Sequence, residues 1–444
     1  MKANYIIREF GTIWNKKDFP ESHDNTFDCI YIEEKSFISL MNFIAENNDS
    51  AIEVDQAFSV HRKKGNDYIK VKNYVGVVET KEKTIIEILP KIYNLKFENN
   101  EDSVDFKRDC KSILLKMLRY LKDSPFKSID QANLQSTKLP LIEIFITIFL
   151  AEFEKLLKRG IKHFYVTKSE NEKVLKGKLK FAENLRHNLA HKEQFYIEYD
   201  EFCANIPQNR LLKSTLVYLS TISRSAKNKS QIFNFLALLD EVEYSTNQEK
   251  DWACVNGRNR LFSHYEQVLQ WAKVFLRKES FASYKGKHLN MAILFPMERI
   301  FEDYVAAMFS KLIQPGLSVR KQDRRNHLVE SHKMTKKFRL KPDMVIEEGN
   351  KTLAILDTKW KILNQNATKE NYFIKQSDMY QLYAYGTKYK DDPDLYLLYP
   401  QNSDFTQELD PFEYYVDKLK LRVLPVPLTG NIEDMRTLIQ TIFN

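Results

Sequence analysis

Two aspartates and a lysine near the C-terminus have the types and the spacing that metal-dependent hydrolysis of a phosphodiester requires. Asp343 follows Pro342, Asp357 lies fourteen residues further on, and Lys359 comes two residues after that. Carboxylate oxygens are the ligands that Mg²⁺ prefers, and bound Mg²⁺ can activate a water and stabilise charge on a phosphate. An ammonium group beside the phosphate adds to that stabilisation. We therefore predict that Asp343, Asp357 and Lys359 are catalytic. Both aspartates and the Thr358 backbone would hold Mg²⁺, with Mn²⁺ as a possible substitute.

The segment that carries these residues has the pattern of a β-hairpin. Two apolar runs, residues 338–346 and 352–362, flank a turn at Gly349 and Asn350. Side chains alternate between the faces of a strand, so Asp357 and Lys359 are expected to share a face. The second run is apolar on both faces, which indicates a buried central strand, where charges are costly unless they are paired or bind a metal. The alternative is an exposed hairpin with a solvated Asp and Lys.

An amphipathic helix is predicted at residues 296–312, upstream of the hairpin. Glu298 and Glu302 are four residues apart and therefore share one face of it. Either glutamate can supply a third acidic group to the catalytic site. The alternative is a solvated face whose acids complement the helix dipole.

A second helix is predicted after the hairpin, at residues 372–389. Asp378, Gln381 and Tyr385 lie on one face of it, and Gln381 can donate a hydrogen bond to a phosphate or a metal-bound water. An ordinary polar helix position is the alternative for Gln381. With strands at 317–321, 394–400 and 419–426, the predicted order is helix, strand, hairpin, helix, strand.

A stripe of basic residues leads into the hairpin. Such a stripe favours binding to the phosphates of a DNA duplex. Between positions 320 and 341 there are nine Lys or Arg residues and two acids. The predicted DNA-binding residues are Arg320, Lys321, Arg324, Arg325, Lys336, Lys337, Arg339 and Lys341, with Lys333 in the same run. The alternative is a solvated, charged loop.

Composition limits the classes of protein that the chain can belong to. The 444 residues carry a net charge of +8, which is consistent with a nucleic-acid partner. Four scattered cysteines form no Cys-x-x-Cys pair and no signal peptide is evident, so a cytoplasmic location is expected. The most apolar run, residues 139–153, contains two glutamates and is too short to cross a bilayer. No glycine lies in a P-loop pattern, so this chain is not expected to hydrolyse GTP or ATP in that way.

The pattern along the chain predicts an α/β (α+β) multidomain protein with three parts. Residues 1–105 are strand-rich, residues 106–285 are mainly helical, and residues 286–444 contain the predicted active site. The strand-rich part is interpreted as a binding domain.

Several motifs resemble McrC, the nuclease subunit of McrBC-type modification-dependent restriction systems. The matching segments are Arg8-Glu9-Phe10-Gly11, Glu87-Ile88-Leu89-Pro90-Lys91, Leu175-Lys176-Gly177-Lys178, Tyr199-Asp200-Glu201-Phe202, Asn209-Arg210-Leu211-Leu212, Phe295-Pro296-Met297-Glu298 and Tyr380-Gln381-Leu382-Tyr383-Ala384-Tyr385, together with the Asp343, Asp357 and Lys359 hairpin. The resemblance implies a C-terminal PD-(D/E)XK restriction-endonuclease-like core that cuts DNA, methylated at cytosine. It also implies a McrB-like AAA+ GTPase hexamer as partner. That hexamer binds the GTP, and the N-terminal part of this chain would plug into it and stimulate hydrolysis.

Two other functions remain open from the sequence. The chain can be a stand-alone PD-(D/E)XK restriction nuclease that needs no motor. It can also be a non-cutting adaptor that activates an AAA+ ring, although the complete Asp, Asp and Lys set argues against a vestigial site.

Overall fold

The computed structural model describes residues 3–19, 24–48, 57–91, 104–122, 124–128, 138–255, 260–276, 289–415, 419–429 and 431–443. The chain forms two compact units. Unit 1 contains residues 1–141 and 280–444, and unit 2 contains residues 142–279. These units do not follow the three predicted domain boundaries, which stay a prediction. The mixed α/β, multidomain class that the sequence predicts is confirmed.

The N-terminal part of unit 1 is built from two four-stranded sheets. Its elements are β1 (Asn4–Arg8), β2 (Thr12–Asn15), β3 (Cys29–Ile32), α1 (Glu34–Asn48), β4 (Phe58–Lys63), β5 (Asn66–Val71), β6 (Tyr74–Thr80), β7 (Ile85–Leu89) and α2 (Val104–Leu118), with short 3-10 helices at Lys16–Asp18 and Pro125–Ser128. One sheet has the order β3-β2-β5-β4. Isoleucines of these strands pack against Leu40 and Phe43 of α1 to form a continuous apolar core.

The second sheet receives a strand from much later in the chain. Its order is β1-β7-β6-β11, where β11 is Leu289–Pro296 and pairs antiparallel with β6. Every residue of β6 is buried, as expected for a strand covered on both faces. Helix α9 (Met297–Leu312) follows β11 directly, and the amide of Met297 donates to the carbonyl of Asn73 at 3.1 Å. The N-terminal sheet therefore sets where the helix with Glu298 and Glu302 begins.

The C-terminal part of unit 1 is centred on a six-stranded sheet. Its elements are β12 (Leu317–Lys321), β13 (His327–His332), β14 (Thr335–Arg339), β15 (Met344–Glu348), β16 (Lys351–Thr358), α10 (Gln376–Lys388), β17 (Asp394–Pro400), β18 (Phe412–Glu413), β19 (Lys420–Val426) and α11 (Ile432–Phe443), with a 3-10 helix at Thr368–Phe373. The strand order is β12-β15-β16-β17-β19-β18. Strands β12, β15 and β16 are antiparallel neighbours, whereas β16, β17 and β19 are parallel. Helices α9 and α10 both pack against β16.

The first predicted strand of the hairpin is divided into two in the structure. Residues 338–339 end β14, which pairs with β13 in a separate two-stranded sheet, and β15 begins only at Met344. Pro342 has no amide hydrogen to donate, which is one reason why pairing stops beside Asp343. The prediction of one continuous strand over 338–346 was therefore wrong. The alternative of a loop for the basic stripe does not hold for residues 327–332 and 335–339, which form β13 and β14.

Unit 2 is mainly helical. Its elements are α3 (Leu141–Arg159), β8 (Phe164–Glu172), β9 (Lys178–Leu179), α4 (Phe181–Asn188), β10 (Phe195–Cys203), α5 (Pro207–Ile222), α6 (Ala226–Leu238), α7 (Gln248–Val255) and α8 (Glu266–Leu276), with a 3-10 helix at Arg260–Tyr265. Glu143 of α3 is buried but accepts hydrogen bonds from Ser223 at 2.9 Å and Asn228 at 2.8 Å. Those bonds offset the cost of burying its charge. Within the described part of the chain, no helix combines the length and the apolar character that crossing a membrane needs.

Candidate active site

The two aspartates of the predicted site meet at the open end of the β15–β16 hairpin. Met344 pairs with Leu356, so Asp343 and Asp357 lie next to the last paired residues of their strands. The Asp343 Oδ2 atom accepts two hydrogen bonds of 2.7 Å, one from the amide and one from the hydroxyl of Thr358. These bonds close the end of the hairpin that Pro342 leaves without a ladder bond, and they hold the Asp343 carboxylate beside Asp357.

The Asp357 carboxylate is withdrawn from water, and Asp343 is partly buried beside it. Asp357 is 1% exposed, and burial together with the negative charge of Asp343 raises its pKa to about 7. Burial also raises the pKa of Asp343, against the two hydrogen bonds from Thr358, which lower it. The Asp357 Oδ2 atom faces the Lys359 ammonium as an ion pair but accepts no hydrogen bond of good geometry. The pocket therefore holds two neighbouring acids whose ionised forms burial disfavours and a nearby cation stabilises.

The donor set suits a hard divalent cation. Mg²⁺ is usually held by one or two carboxylates and keeps several waters, whereas zinc sites need nitrogen or sulfur ligands. Among the described residues, no three His, Cys, Asp or Glu side chains converge on one point as a complete metal cage. Two neighbouring carboxylates fit Mg²⁺ in its usual, partly hydrated form.

Lys359 is held in the pocket from three sides. Its amide donates to the carbonyl of Leu398 in β17 at 2.9 Å, and its ammonium pairs with Asp357 and donates to Gln381 Oε1 at 3.1 Å. Burial alone would lower the pKa of Lys359, but attraction to Asp357, Asp343 and Asp378 outweighs it and leaves the pKa above its ordinary value. The lysine is therefore a permanent positive charge at neutral pH.

Gln381 of α10 connects the lysine to the aspartate. Its Nε2 atom donates to the hydroxyl of Tyr385 at 2.6 Å and makes a longer contact of 3.4 Å to Asp357 Oδ1. Burial raises the pKa of Tyr385 to about 12, so this hydroxyl stays protonated. The side-chain amide of Gln381 thus contacts Lys359, Tyr385 and Asp357, and these contacts orient the two charged groups. The predicted hydrogen bond from Gln381 to a phosphate or a metal-bound water stays a prediction.

The structure separates the two candidate glutamates of α9. The Glu302 Oε1 atom accepts from Gln322 at 2.7 Å, and the Gln322 amide donates to the Asp343 carbonyl at 2.8 Å. Burial, followed by the charge of Asp343, raises the pKa of Glu302 to about 7. Glu298 is exposed, and its charge acts on Glu9 and Lys91 instead. Glu302 is therefore the glutamate in electrostatic contact with the aspartate pair.

The predicted basic stripe divides into residues with different surroundings. Arg320 and Arg325 both form ion pairs with the buried Glu347, and Arg325 also pairs with Asp323. Lys341 acts electrostatically on both Asp343 and Glu302. Lys321 and Arg324 are exposed near the end of β12, and Lys333, Lys336, Lys337 and Arg339 are exposed on or beside the β13–β14 hairpin.

Sequence reasoning missed contacts that join distant segments. The Gln322 link to Glu302 and the ion pair of Lys361 with Asp378, at 2.5 Å, were not predicted. A signal for Lys361 existed, because it continues the alternation of Asp357 and Lys359 on one face. No sequence signal marks Gln322, which is a single polar residue in a charged segment.

The fold and the pocket together define a mixed α/β protein with an acidic pair and a lysine beside a central strand. The family model described as McrBC 5-methylcytosine restriction system component matches residues 69–400, which is more than half of the chain, and the chain belongs to this family. No curated protein matches it.

One solved structure shares the fold at low sequence identity, and a second aligns less well. One chain of the refined half-complex from a tetradecameric assembly of Thermococcus gammatolerans McrB AAA+ hexamers with bound McrC aligns with a TM-score of 0.67 and 17% identity, over 99% of this chain and 100% of that chain. A chain of the Thermococcus gammatolerans McrBC complex aligns with a TM-score of 0.48 and 16% identity, over 72% of this chain and 90% of that one.

Proposed function

We propose that this chain is a Mg²⁺-dependent endodeoxyribonuclease with a PD-(D/E)XK core, the DNA-cutting subunit of a modification-dependent restriction system. The observation that carries the proposal is the meeting of Asp343, Asp357 and Lys359 at one end of the β15–β16 hairpin. Membership of the McrBC family supports the biological setting.

The side chains divide the work between holding the metal and stabilising charge. Asp343 and Asp357 would hold Mg²⁺, which when bound supplies an activated water and a counter-charge for the phosphate. Lys359 keeps a positive charge beside the Asp357 carboxylate and would stabilise the extra negative charge that develops on the attacked phosphate. Thr358 and Gln381 fix the orientation of these groups through the hydrogen bonds described above.

Glu302 has the properties of a group that exchanges a proton at neutral pH. Without bound metal, its pKa of about 7 lies near the value at which a general acid or base works best in a cell. The position next to Asp343 suits a base that acts on the attacking water, directly or through a second water. Glu298 is not given this role, because its charge acts on Glu9 and Lys91.

We further infer that the DNA is methylated and that an AAA+ GTPase ring works with this chain. The related Thermococcus gammatolerans assembly contains McrB AAA+ hexamers with bound McrC, and its shared fold supports a comparable arrangement here. GTP would then bind to the partner, and the partner would bring the nuclease to modified DNA.

The test compares two aspartate substitutions in a cleavage assay with methylated DNA, Mg²⁺, GTP and the partner GTPase. Asp357→Asn should abolish cleavage while assembly with the partner persists. Asp410→Asn makes the same chemical change at an exposed position and should cleave as the wild type does. Full cleavage by Asp357→Asn would reject the active site. Stimulation of the GTPase without any cleavage by the wild type would instead favour an adaptor, and cleavage without partner or nucleotide would favour a stand-alone nuclease.

A further inference from the structure

The β13–β14 hairpin follows β12 and precedes β15 along the chain. It is not part of the six-stranded sheet, in which β12 and β15 are neighbours. Among the described residues its two strands pair only with each other, through His327 with Arg339, Val329 with Lys337 and His332 with Thr335. All five residues of β14 are exposed. The hairpin also exposes large apolar side chains, since Phe338 is 74% and Met334 99% accessible. Neither side chain contributes to a core.

The charge of this hairpin is not compensated within the described structure. Lys333, Lys336 and Lys337 have no carboxylate within ion-pair distance among the residues described, in contrast to Arg320 and Arg325, which share Glu347. Glu330 is the single acid between positions 327 and 339. A strand pair with free lysines and exposed apolar groups is complementary to a polyanion that also offers an apolar surface, as duplex DNA does.

The backbone of the hairpin is held in an unfavourable conformation at three of these residues. Lys333 and Met334 form the turn with φ values of 48° and 62°, and Phe338 has a φ of 54°. Such two-residue turns favour Asn-Gly, because positive φ is costly for residues with long side chains. Backbone strain of this kind concentrates at functional sites. The chain thus places long side chains where short ones would fold more easily.

The base of the hairpin is anchored beside the candidate active site. The Leu340 amide donates to the Asn326 carbonyl at 2.9 Å, and Arg339 lies four residues before Asp343. Asp323, just before the hairpin, accepts from the hydroxyl of Tyr389 at 2.9 Å. From Arg339 to Met334 a strand extends roughly 17 Å, so the hairpin is long enough to lie along the major groove, where Phe338 near its base comes as close to the base edges as its tip does. The groove, about 12 Å wide, admits a two-stranded β-ribbon.

We propose that the β13–β14 hairpin enters the major groove of the duplex beside the cut, an inference that rests on the proposed nuclease function. Lys333, Lys336 and Lys337 contact the phosphates that border the groove, and Phe338 packs against the base edges, where thymine methyl groups offer apolar surface. The hairpin is then a positioning element that sets where the duplex lies relative to Asp343 and Asp357.

The experiment measures duplex binding by the full chain in the non-cutting Asp357→Asn background, across a range of salt concentrations. Phe338→Asn removes the ring and relieves the positive φ, since Asn tolerates that conformation. We expect at least about tenfold weaker binding with an unchanged salt slope, because the loss is apolar. Lys336→Ala with Lys337→Ala should reduce the slope of log affinity against log salt by about 2. Both variants should keep the thermal midpoint of the parent chain or, for Phe338→Asn, raise it.

Matched controls come from exposed residues of α6. Phe233→Ala and the pair Lys227→Ala with Lys229→Ala remove the same side-chain types and should leave binding unchanged. Dimethyl sulfate probing reports on guanine N7 in the major groove, and protection beside the cut should be lost in Phe338→Asn. Parental affinity, slope and N7 protection in the hairpin variants, with cleavage intact in the wild type, would overturn the hairpin proposal alone. A wild-type chain that neither binds nor cuts DNA would overturn the proposed function as well.

Discussion

The indole N–H of Trp360 donates a 2.7 Å hydrogen bond to Oε1 of Glu9, across 351 positions of sequence. The same carboxylate oxygen accepts from the amide of Lys91 at 2.9 Å, and the Trp360 ring packs on Phe301 of α9. Trp360 directly follows Lys359. Two segments near the N-terminus, 8–11 and 87–91, therefore meet next to the residue that follows Lys359, and all of these segments belong to unit 1.

Removing the indole donor should lower the stability of unit 1. In Trp360→Phe the ring packing on Phe301 remains, but the buried Glu9 loses a hydrogen bond, which costs about 1–3 kcal/mol in the free energy of unfolding. Thermal or denaturant unfolding measures this loss. Trp14→Phe is the control, because the Trp14 indole bonds only to the neutral Thr12 hydroxyl at 3.2 Å in a part-buried site. An equal effect of the two substitutions would contradict a special role for the Glu9 contact.

Glu9 should make stability depend on pH in a defined direction. Burial raises its pKa from 4.5 to about 7 in the folded chain. Between these two values the folded state holds a proton that the unfolded state releases, so the contribution of Glu9 to stability is greatest below pH 4.5 and is lost as the pH rises to 7. The loss amounts to about 3 kcal/mol. Glu9→Gln cannot ionise. The difference in free energy of unfolding between this variant and the wild type should therefore change between pH 4.5 and about pH 7 and stay constant at higher pH.

The two glutamates of α9 should differ in their effect on cleavage. Glu302→Gln removes the group that exchanges a proton beside Asp343 and should reduce the cleavage rate by about a hundredfold. Glu298→Gln makes the same change one helical turn earlier, on an exposed side chain, and should leave the rate near that of the wild type. Single-turnover cleavage rates at saturating Mg²⁺ provide the comparison. The reverse order of effects would assign the role to Glu298.

Magnesium binding should strengthen with pH. Asp357 has a pKa of about 7 in the absence of metal and must ionise to act as a ligand. The affinity for Mg²⁺ should therefore rise about tenfold between pH 6 and pH 8, with protons released on binding. Titration calorimetry in buffers of different ionisation enthalpy measures both quantities. Asp357→Asn should bind Mg²⁺ more weakly and release fewer protons, and equal affinities at both pH values in the wild type would contradict the site.

A glycine in β6 should be needed for the sheet that receives β11. Gly76 has a φ of +137°, and a Cβ there would lie 2.0 Å from the carbonyl oxygen of Ile293. Gly76→Ala should therefore destabilise unit 1 by roughly 3 kcal/mol or more, through both strain and displacement of β11. Gly65→Ala isolates the strain, because Gly65 has a φ of +86° with open space around it, and should cost about 1 kcal/mol. Thermal unfolding of the two variants separates the cost of backbone strain from the cost of displacing β11.

Local patterns alone located most of the C-terminal elements. The β-strand from 394 to 400 and the helices at 297–312 and 376–388 follow the predicted order, because hydrophobic periodicity is a property of neighbouring residues. Period-two alternation likewise put Asp357 and Lys359 on one face, and the ion pair between them agrees with it. The β13–β14 hairpin was missed because its strands are polar and build no core, so they lack the apolar alternation by which strands are recognised.

The sequence by itself determined that two carboxylates and a lysine would lie at the end of a buried strand, because a spacing of two residues in a strand is a local geometric fact. The tertiary structure alone decided that Glu302 and not Glu298 lies in electrostatic contact with Asp343, that Gln381 accepts a hydrogen bond from Lys359, and that Trp360 bonds to Glu9. These relationships join residues 22 to 351 positions apart. They depend on how whole elements pack and on which buried polar atoms find partners, and no local pattern contains that information.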